Sequence, residues 1–543
     1  MSRVLMNAVV ALLCVSAVVG RRIKTTGGYA ASLGFEKCEP EQLVRPKSIA
    51  DLAKIIQEAN INGKSVKAVG ARKSTTDIIC TDGVAVDMSN IADININKKA
   101  KTVTVQAGAT LRDLQRALSK EGLSLTLPSV KFSGVTIGGA LATGSHTSSL
   151  RHPTSISDSV TSLNVFDSRG ELVEVQDDFL KATRVNLGVL GIVVDVTMDV
   201  VKEFKIRVEN VDTKEKLLFN KKKLTKMANE FDVFQIGWFP SLNKIVATQG
   251  TFVKASSKGK DHVDYGFVTN QYTSGFVLGV EKAHRKRNLD AFCNMEESSF
   301  MSTSVGQPGL LPYVNKKGEF QNPAVGYISD MMTQYCEPET CSWDYPGPKF
   351  LAQELTVGIP LDRVPEAAMR IKEIMEERPV CFSTSSGIGI RFHKASENYL
   401  SIAEGVDTAV FEILVPLRQK GTQPRLGLDT IQLLQQTLLS DEFSGRPHWG
   451  SNSKSAFANP FPEPSELFPN FDKFLSVKQI LDPIGMFDNS FYRRFIREED
   501  LPKGNRCAVN EKCICSLDSH CAKKQKCLTV DAGSFVGGIC VNK

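Results

Sequence analysis

Two short segments in the second half of the chain concentrate side chains that can do chemistry. Gly387–Leu400 reads G-I-G-I-R-F-H-K-A-S-E-N-Y-L and carries Arg391; Arg446–Lys454 reads R-P-H-W-G-S-N-S-K and carries His448. A guanidinium stays charged at working pH and stabilises negative charge that builds during a reaction. An imidazole titrates near neutrality and can accept a proton. Taken alone, an arginine on a strand is more often an ion-pair partner, and a histidine before tryptophan is more often packed and hydrogen-bonded. What gives the two segments weight is a stretch earlier in the chain. Thr126–Ile156 holds Gly134, Gly138, Gly139 and Gly144, with hydroxyls crowded around His146. Glycine lets backbone pass close to a ligand, and short hydroxyls with free N–H groups suit a diphosphate. This stretch cannot fill a core by itself and reads as a wall around a large anionic cofactor.

A second loop, V-G-A-R-K-S-T-T-D (Val69–Asp77), lies upstream, and a third, V-N-L-G-V-L-G-I-V-V-D-V (Val185–Val196), lies downstream. No G-x-G-x-x-G fingerprint of a Rossmann unit accompanies them. Three loops in this order resemble the PCMH-type FAD-binding domain of the vanillyl-alcohol oxidase superfamily, and most closely the sugar-1,4-lactone oxidases, plant L-gulonolactone oxidase-like proteins above all. The tail run C-I-C-S-L-D-S-H-C, Cys513–Cys521, resembles the same plant branch. The resemblance implies that the first loop grips FAD through Val69, Gly70, Ala71, Arg72, Lys73 and Ser74. Gly108, Pro128 and Ser129 line the cofactor next. The glycine-rich stretch then adds Thr136, Ile137, Gly138, Gly139, Gly144 and His146, with Thr147, Ser148, Ser149 and Ile156. The third loop closes with Gly188, Gly191, Ile192 and Val193. Many members carry a histidine before the serine of the first loop, bonded covalently to the flavin. Lys73 stands there, so the expected FAD is non-covalent.

The family reaction oxidises a secondary alcohol beside a lactone carbonyl. A hydride leaves the carbinol carbon for flavin N5, and a hydroxyl proton leaves as well. The resemblance assigns Arg391 to the developing charge and His448 to the proton. In the aldonolactone oxidases the first segment usually reads E-x-R and the second H-W-G-K. Here Gly389 replaces the acid and Ser451 the lysine, with Lys454 the nearest substitute cation. The expected activity is oxidation of a sugar lactone such as L-gulono-1,4-lactone, with O₂ as acceptor, H₂O₂ as by-product and an ascorbate-type product. FAD-dependent oxidation of free carbohydrates or other alcohols, and low-turnover flavin or carbohydrate binding, are the alternatives.

These residues need elements to hold them. At 543 residues the chain exceeds one ordinary core. A net charge of +6 is too mild for a nucleic-acid partner. Ile49 to Ala59 has helical spacing closed by Gly63; Thr110 with Asp113 predicts a capped helix closed by Gly122. Ser159–Phe166 and Glu171–Val175 flank a turn at Asp167–Gly170 and predict a hairpin. Ile192–Val201 and Val325–Ser329 read as strands, and Leu361–Glu377 as a helix. The fold class is α+β: an FAD-binding domain over 39–203, an α+β substrate (cap) domain over 204–500 and a Cys-rich tail over 507–543. Residues 1–20 read as a signal peptide, which implies a secreted or secretory-lumen protein with no transmembrane anchor. Removing Cys14 leaves twelve of thirteen cysteines, an even set for disulfides. Cys38 is expected to pair with Cys80, and Cys336 with Cys341, where a metal pair is a poor second. The six tail cysteines admit fifteen pairings; a zinc site using His520 is a poor second, and no metal is expected.

Overall fold

The computed structural model describes residues 28–30, 37–125, 134–263, 313–332, 352–378, 387–416, 427–501, 504–531 and 535–543. The signal segment, Pro128, Ser129 and the Cys336–Cys341 pair lie outside them.

Among the described residues, three larger sheets stand beside three two-stranded ones. The first is small and parallel, in the order β1 (Gln42–Val44), β3 (Val84–Asp87), β2 (Val66–Val69). Its crossover is α1 (Ile49–Ile61), whose Ser48 side chain caps the Asp51 amide and whose Leu52, Ile56 and Ala59 are buried. Gly63 follows at φ 60°, a conformation that favours glycine. A disulfide joins Cys38 and Cys80 at the margin, Cα to Cα 5.0 Å.

The second sheet is antiparallel. It runs β8 (Leu172–Val175), β7 (Val160–Phe166), β9 (Ile192–Lys202), β5 (Thr102–Gln106), β4 (Ile94–Asn97), with β6 (Leu123–Leu125) also on β9. The hairpin turns at Asp167, whose carboxylate accepts from the Arg169 and Glu171 amides. Helix α2 (Leu111–Lys120) starts where Thr110 accepts from the Asp113 amide, a cap worth about 1 kcal/mol.

The third sheet has eight strands. In chain order they are β10 (Lys205–Lys214), β11 (Val233–Phe239), β12 (Lys244–Val253), β13 (Ala324–Tyr327), β14 (Ala352–Pro360), β15 (Ile388–His393), β16 (Thr408–Pro416) and β17 (Arg446–Pro447). They are arranged β13-β10-β12-β11-β15-β16-β14-β17. The expected strand at Val325–Ser329 ends at Tyr327 and turns into a short helix, Ile328–Met332. The helix expected over Leu361–Glu377 is a 3₁₀ turn followed by Val364–Glu377.

The mixed helix-and-sheet fold is as expected, but the second half does not keep to itself. The segment from Met486 into helix Ser490–Phe495 returns to the first sheet: the Val66 amide donates to Met486 O, and Asn489 Nδ2 reaches Ile78 O and Cys80 O, while helix Phe471–Leu481 meets Asp177–Thr183. Phe491 and Phe495 join Trp449 in an aromatic cluster. The join is completed by an ion pair. Arg494 Nη2 meets both Asp77 carboxylate oxygens at 2.6 and 2.7 Å, with side-chain exposures of 4% and 6%. Lys454 Nζ adds a third contact at 3.3 Å.

In the tail, disulfides join Cys507 to Cys513, Cys515 to Cys527 and Cys521 to Cys540. The sulfurs nearest His520 are therefore in disulfides. The tail docks on the buried helix Leu428–Leu438 through two glutamines. Gln432 bonds Ala508 O and the Cys540 amide, and Gln436 bonds both backbone groups of Gly538.

Removing one member of a buried pair strands the other charge. Asp77→Asn leaves Arg494 and Lys454 facing each other. Denaturant unfolding of this variant is expected to show a loss of about 3–5 kcal/mol; a change under 1 kcal/mol would show the pair contributes no more than a surface one.

Candidate active site

The three glycine-bearing loops meet along one cleft of about 1540 Å³, open solvent at its mouth included. The first loop leaves β2 at Val69. Arg72 adopts φ 59°, with its guanidinium 5.1 Å over the Tyr29 ring and 3.6 Å from the Asp87 carboxylate. Gly70 presses on the second loop: a Cβ there would sit 2.0 Å from Thr136 Oγ1. Thr136 in turn caps the short helix Ile137–Ala142 by accepting from the Gly139 amide. The third loop turns at Gly188 (φ 65°) and Gly191 (φ 132°), conformations that favour glycine.

Of the expected cofactor residues, Gly70, Ala71, Arg72, Lys73, Ser74, Thr136, Gly138, Gly139, His146, Gly188, Gly191 and Val193 line this cleft. Val69, Ile137, Ile156 and Ile192 are core residues behind it. Gly108 fits a close approach, with its missing Cβ 1.9 Å from Met88 O, while neighbouring Ala107 faces the cleft. Gly144 turns the chain at φ 62°. Thr147, Ser148 and Ser149 have another task. The Thr147 amide bonds Thr154 O; Ser148 Oγ bonds Phe234 O and accepts from the Phe392 amide; the Ser149 amide donates to Phe392 O. The last two fasten the first half of the chain to the third sheet.

The cleft suits FAD in chemistry as well as shape. Ser74, Thr136, Thr143 and Ser145 offer hydroxyls, Arg72 and Lys73 offer cations, and Ile78, Ile79, Met88, Val135 and Val193 offer apolar wall. Sequence reasoning missed Lys67, which also lines the cleft. Its ammonium is buried and donates to Leu187 O at 2.8 Å and Gly188 O at 3.1 Å. Burial, opposed by Asp488, lowers its pKa to about 7.

The far wall is one face of the third sheet. Gly389 on β15 is directly opposite Glu412 on β16, which is directly opposite Thr356 on β14. Side chains two apart share a face. Arg391, Glu412, Thr356 and Glu354 therefore point together into the cleft, and all four line it. Arg391 is 8% exposed, with Nη2 at 3.1 Å from Glu412 Oε1 and Nη1 donating to His146 O at 3.1 Å. The acid absent at position 389 is thus supplied from the next strand. A Cβ on Gly389 would come 3.0 Å from Glu412 Oε2. The lysine absent at 451 is not replaced: Lys454 turns away to Asp77. Ser451 instead stands beside Glu354 and lowers its pKa, while Thr75 Oγ1 donates to that carboxylate at 3.3 Å. Glu354 and Glu412 are legible only as single acids inside apolar strands, Q-E-L-T-V and V-F-E-I-L.

His448 also lines the cleft, but its role changes. Its Nδ1 accepts from the Gly450 amide at 3.2 Å, so the neutral ring carries its proton on Nε2 and is a donor. Burial, then Arg391 and His393, lower its pKa to about 4. A base that weak is poorly matched to taking an alcohol proton. His146, 5.5 Å away ring to ring, is likewise held neutral, by burial and by His393, His448 and Arg391.

With this geometry in hand, known proteins provide the comparison. The FAD binding domain family matches residues 40–176, and the D-arabinono-1,4-lactone oxidase family matches residues 347–495. The two matches together support the PCMH-type FAD aldonolactone oxidase family. The chain is a flavin oxidoreductase acting on a CH–OH group. It is 27% identical to L-gulonolactone oxidase 3 of Arabidopsis thaliana, covering 89% of this chain and 86% of that one. It is 27% identical to L-gulono-1,4-lactone dehydrogenase of Mycobacterium tuberculosis (85% and 97% covered) and 25% identical to L-gulonolactone oxidase of Mus musculus (84% and 95%). Cholesterol oxidase from Brevibacterium sterolicum shares this fold, with TM-score 0.64 at 16% identity over 86% of this chain and 96% of that one.

The cross-strand acid makes a testable demand. Gly389→Glu inserts a second carboxylate against Glu412 and is expected to cost about 1–3 kcal/mol in thermal unfolding, through overpacking and like charge. Gly389→Glu with Glu412→Gly moves the acid back to one strand and should recover most of that loss. If the single variant is as stable as the parent, Glu412 does not fill the space left at 389.

Proposed function

We propose that the protein oxidises a sugar-1,4-lactone at the carbinol next to the lactone carbonyl, with L-gulono-1,4-lactone as the first candidate. The observation that carries this reading is that the three cofactor loops and the Arg391 face of the third sheet open into the same cleft. The Gly70–Ser74 backbone, Thr136, Gly138, Gly139 and the Gly188–Gly191 turn would hold FAD, non-covalently since Lys73 replaces the linking histidine. FAD, when bound, supplies the acceptor for a hydride from the substrate carbon.

The remaining work falls to the side chains of this chain. Arg391 stays charged and is fixed by Glu412 and His146 O, so it stabilises negative charge building on the substrate oxygen without reorganising. His448 presents an Nε2–H donor that orients a ring hydroxyl. With Glu354 and Glu412 beside a single arginine, the face favours a neutral lactone over an open-chain aldonate anion. O₂ as acceptor, H₂O₂ as by-product and an ascorbate-type product belong to the same proposal, supported by relatives named as oxidases. Four disulfides among the described residues support a secretory or extracellular location.

Anaerobic mixing with a panel of lactones, free sugars and other alcohols tests the reading. Lactones should bleach the bound flavin; bleaching by free sugars alone would overturn the lactone assignment. Arg391→Ala should keep its flavin and slow bleaching by ~100-fold or more, and an unchanged rate would remove Arg391 from the role. Acid precipitation should release the yellow colour to the supernatant; colour retained in the pellet would mean a covalent bond.

A further inference from the structure

Oxidation of an alcohol needs a proton acceptor, and the geometry of the cleft leaves one side chain suited to it. His448 has its Nδ1 lone pair engaged by the Gly450 amide. His146 donates Nδ1–H to Thr147 O, and burial with His393, His448 and Arg391 makes it too weak a base; His393 donates to Lys394 O and does not line the cleft. Glu412 is committed to Arg391. Glu354 opens onto the cleft from β14, on the same face; Thr75 Oγ1 donates to it at 3.3 Å, Ser451 stands beside it, and no salt bridge to it is found among the described residues.

We propose that Glu354 is a catalytic residue that takes the substrate hydroxyl proton, and that Ser451 is what leaves it free to do so. This rests on the reading of the site as an alcohol-oxidising one. As the carbinol C–H bond gives up its hydride, with two electrons, to the bound flavin, the substrate O–H bond breaks. Its proton passes to a Glu354 carboxylate oxygen, and its electron pair becomes the second C–O bond of the ketone. Alcohol minus hydride minus proton balances to the keto product.

The environment of Glu354 supports the assignment. Burial raises its pKa from 4.5 to about 7; the Ser451 hydroxyl opposes this, Glu412 adds to it, and Thr75 and Arg391 oppose it. A base with that pKa is matched to neutral pH, which a carboxylate in water is not. The charged and titratable groups facing it are Glu412 and Arg391 on the neighbouring strands and His448 beside Ser451; Lys73 lies across the same cleft. A lysine at 451, as the family pattern has it, would pair with Glu354 and hold it ionised well into acid. The serine brings a hydroxyl without a charge.

The test has two arms. The first needs no substrate: infrared difference spectra of the flavin-loaded protein, titrated between about pH 5 and pH 9. A protonated-carboxyl band that titrates near neutrality, and is lost in Glu354→Gln, supports the assignment; a wild-type spectrum with no such band overturns it, whatever the substrate proves to be. The second arm follows anaerobic flavin bleaching against pH with whichever alcohol of the panel reacts. Wild type should lose rate as pH falls through about 7, Glu354→Gln should be slower by ~100-fold or more at the plateau and lack that limb, and Ser451→Lys should keep the limb but move it to lower pH. Glu354→Gln bleaching at the wild-type rate with an unchanged profile would sink the proposal while leaving the oxidase reading intact. Bleaching by non-lactone alcohols only would do the reverse.

Discussion

The structure depends on a seam closed by a few polar bonds. At Thr75–Asp77 the first loop meets the backbone and side chains of residues more than 370 positions away. The Thr75 amide donates to Gly450 O at 2.7 Å, Thr76 Oγ1 donates to Trp449 O at 2.9 Å, and Asp77 collects Arg494 and Lys454. Each bond lies beside the cleft. The loop proposed to hold the cofactor and the loop carrying His448 and Ser451 are therefore one rigid corner, not two walls free to drift. Ser148 and Ser149 do the same at the opposite side against Phe234 and Phe392. Preorganisation of this kind lets a fixed guanidinium and a fixed carboxylate act on a substrate without first paying to assemble.

Within that corner, charge is arranged by strand register. Arg391, Glu412 and Glu354 come from three adjacent strands and reach one face because antiparallel partners point the same way. His146 and His448, packed beside them, are held below the usual histidine range by burial first and also by Arg391. With serine rather than lysine at 451, the group beside Glu354 brings a hydroxyl and no charge.

Much of this was legible in the chain, and the losses have physical reasons. Local signals were read correctly: Thr110 with Asp113 and Gly122 bounded their helix, Asp167–Gly170 turned its hairpin, and Cys38 found Cys80. The three glycine loops also converge, because glycine there reports close backbone approach. Cross-strand chemistry was not legible. Gly389 looked like a lost acid because a sequence shows i and i+2 on one strand but not the residue opposite. His448 looked like a base because its tautomer is decided by the Gly450 amide. Ser148 and Ser149 carry the right chemistry for a phosphate and spend it on the seam. The return of residues 486–495 to the first sheet was hidden because that segment has ordinary amphipathic spacing with no mark of where it docks.

The exchange between Gly389 and Glu412 bears on how this chain is found. A carboxylate beside the arginine is kept while its place in the primary order moves by more than twenty positions. A search that demands both letters on one strand would pass over this chain, where the pair is met in space across two strands.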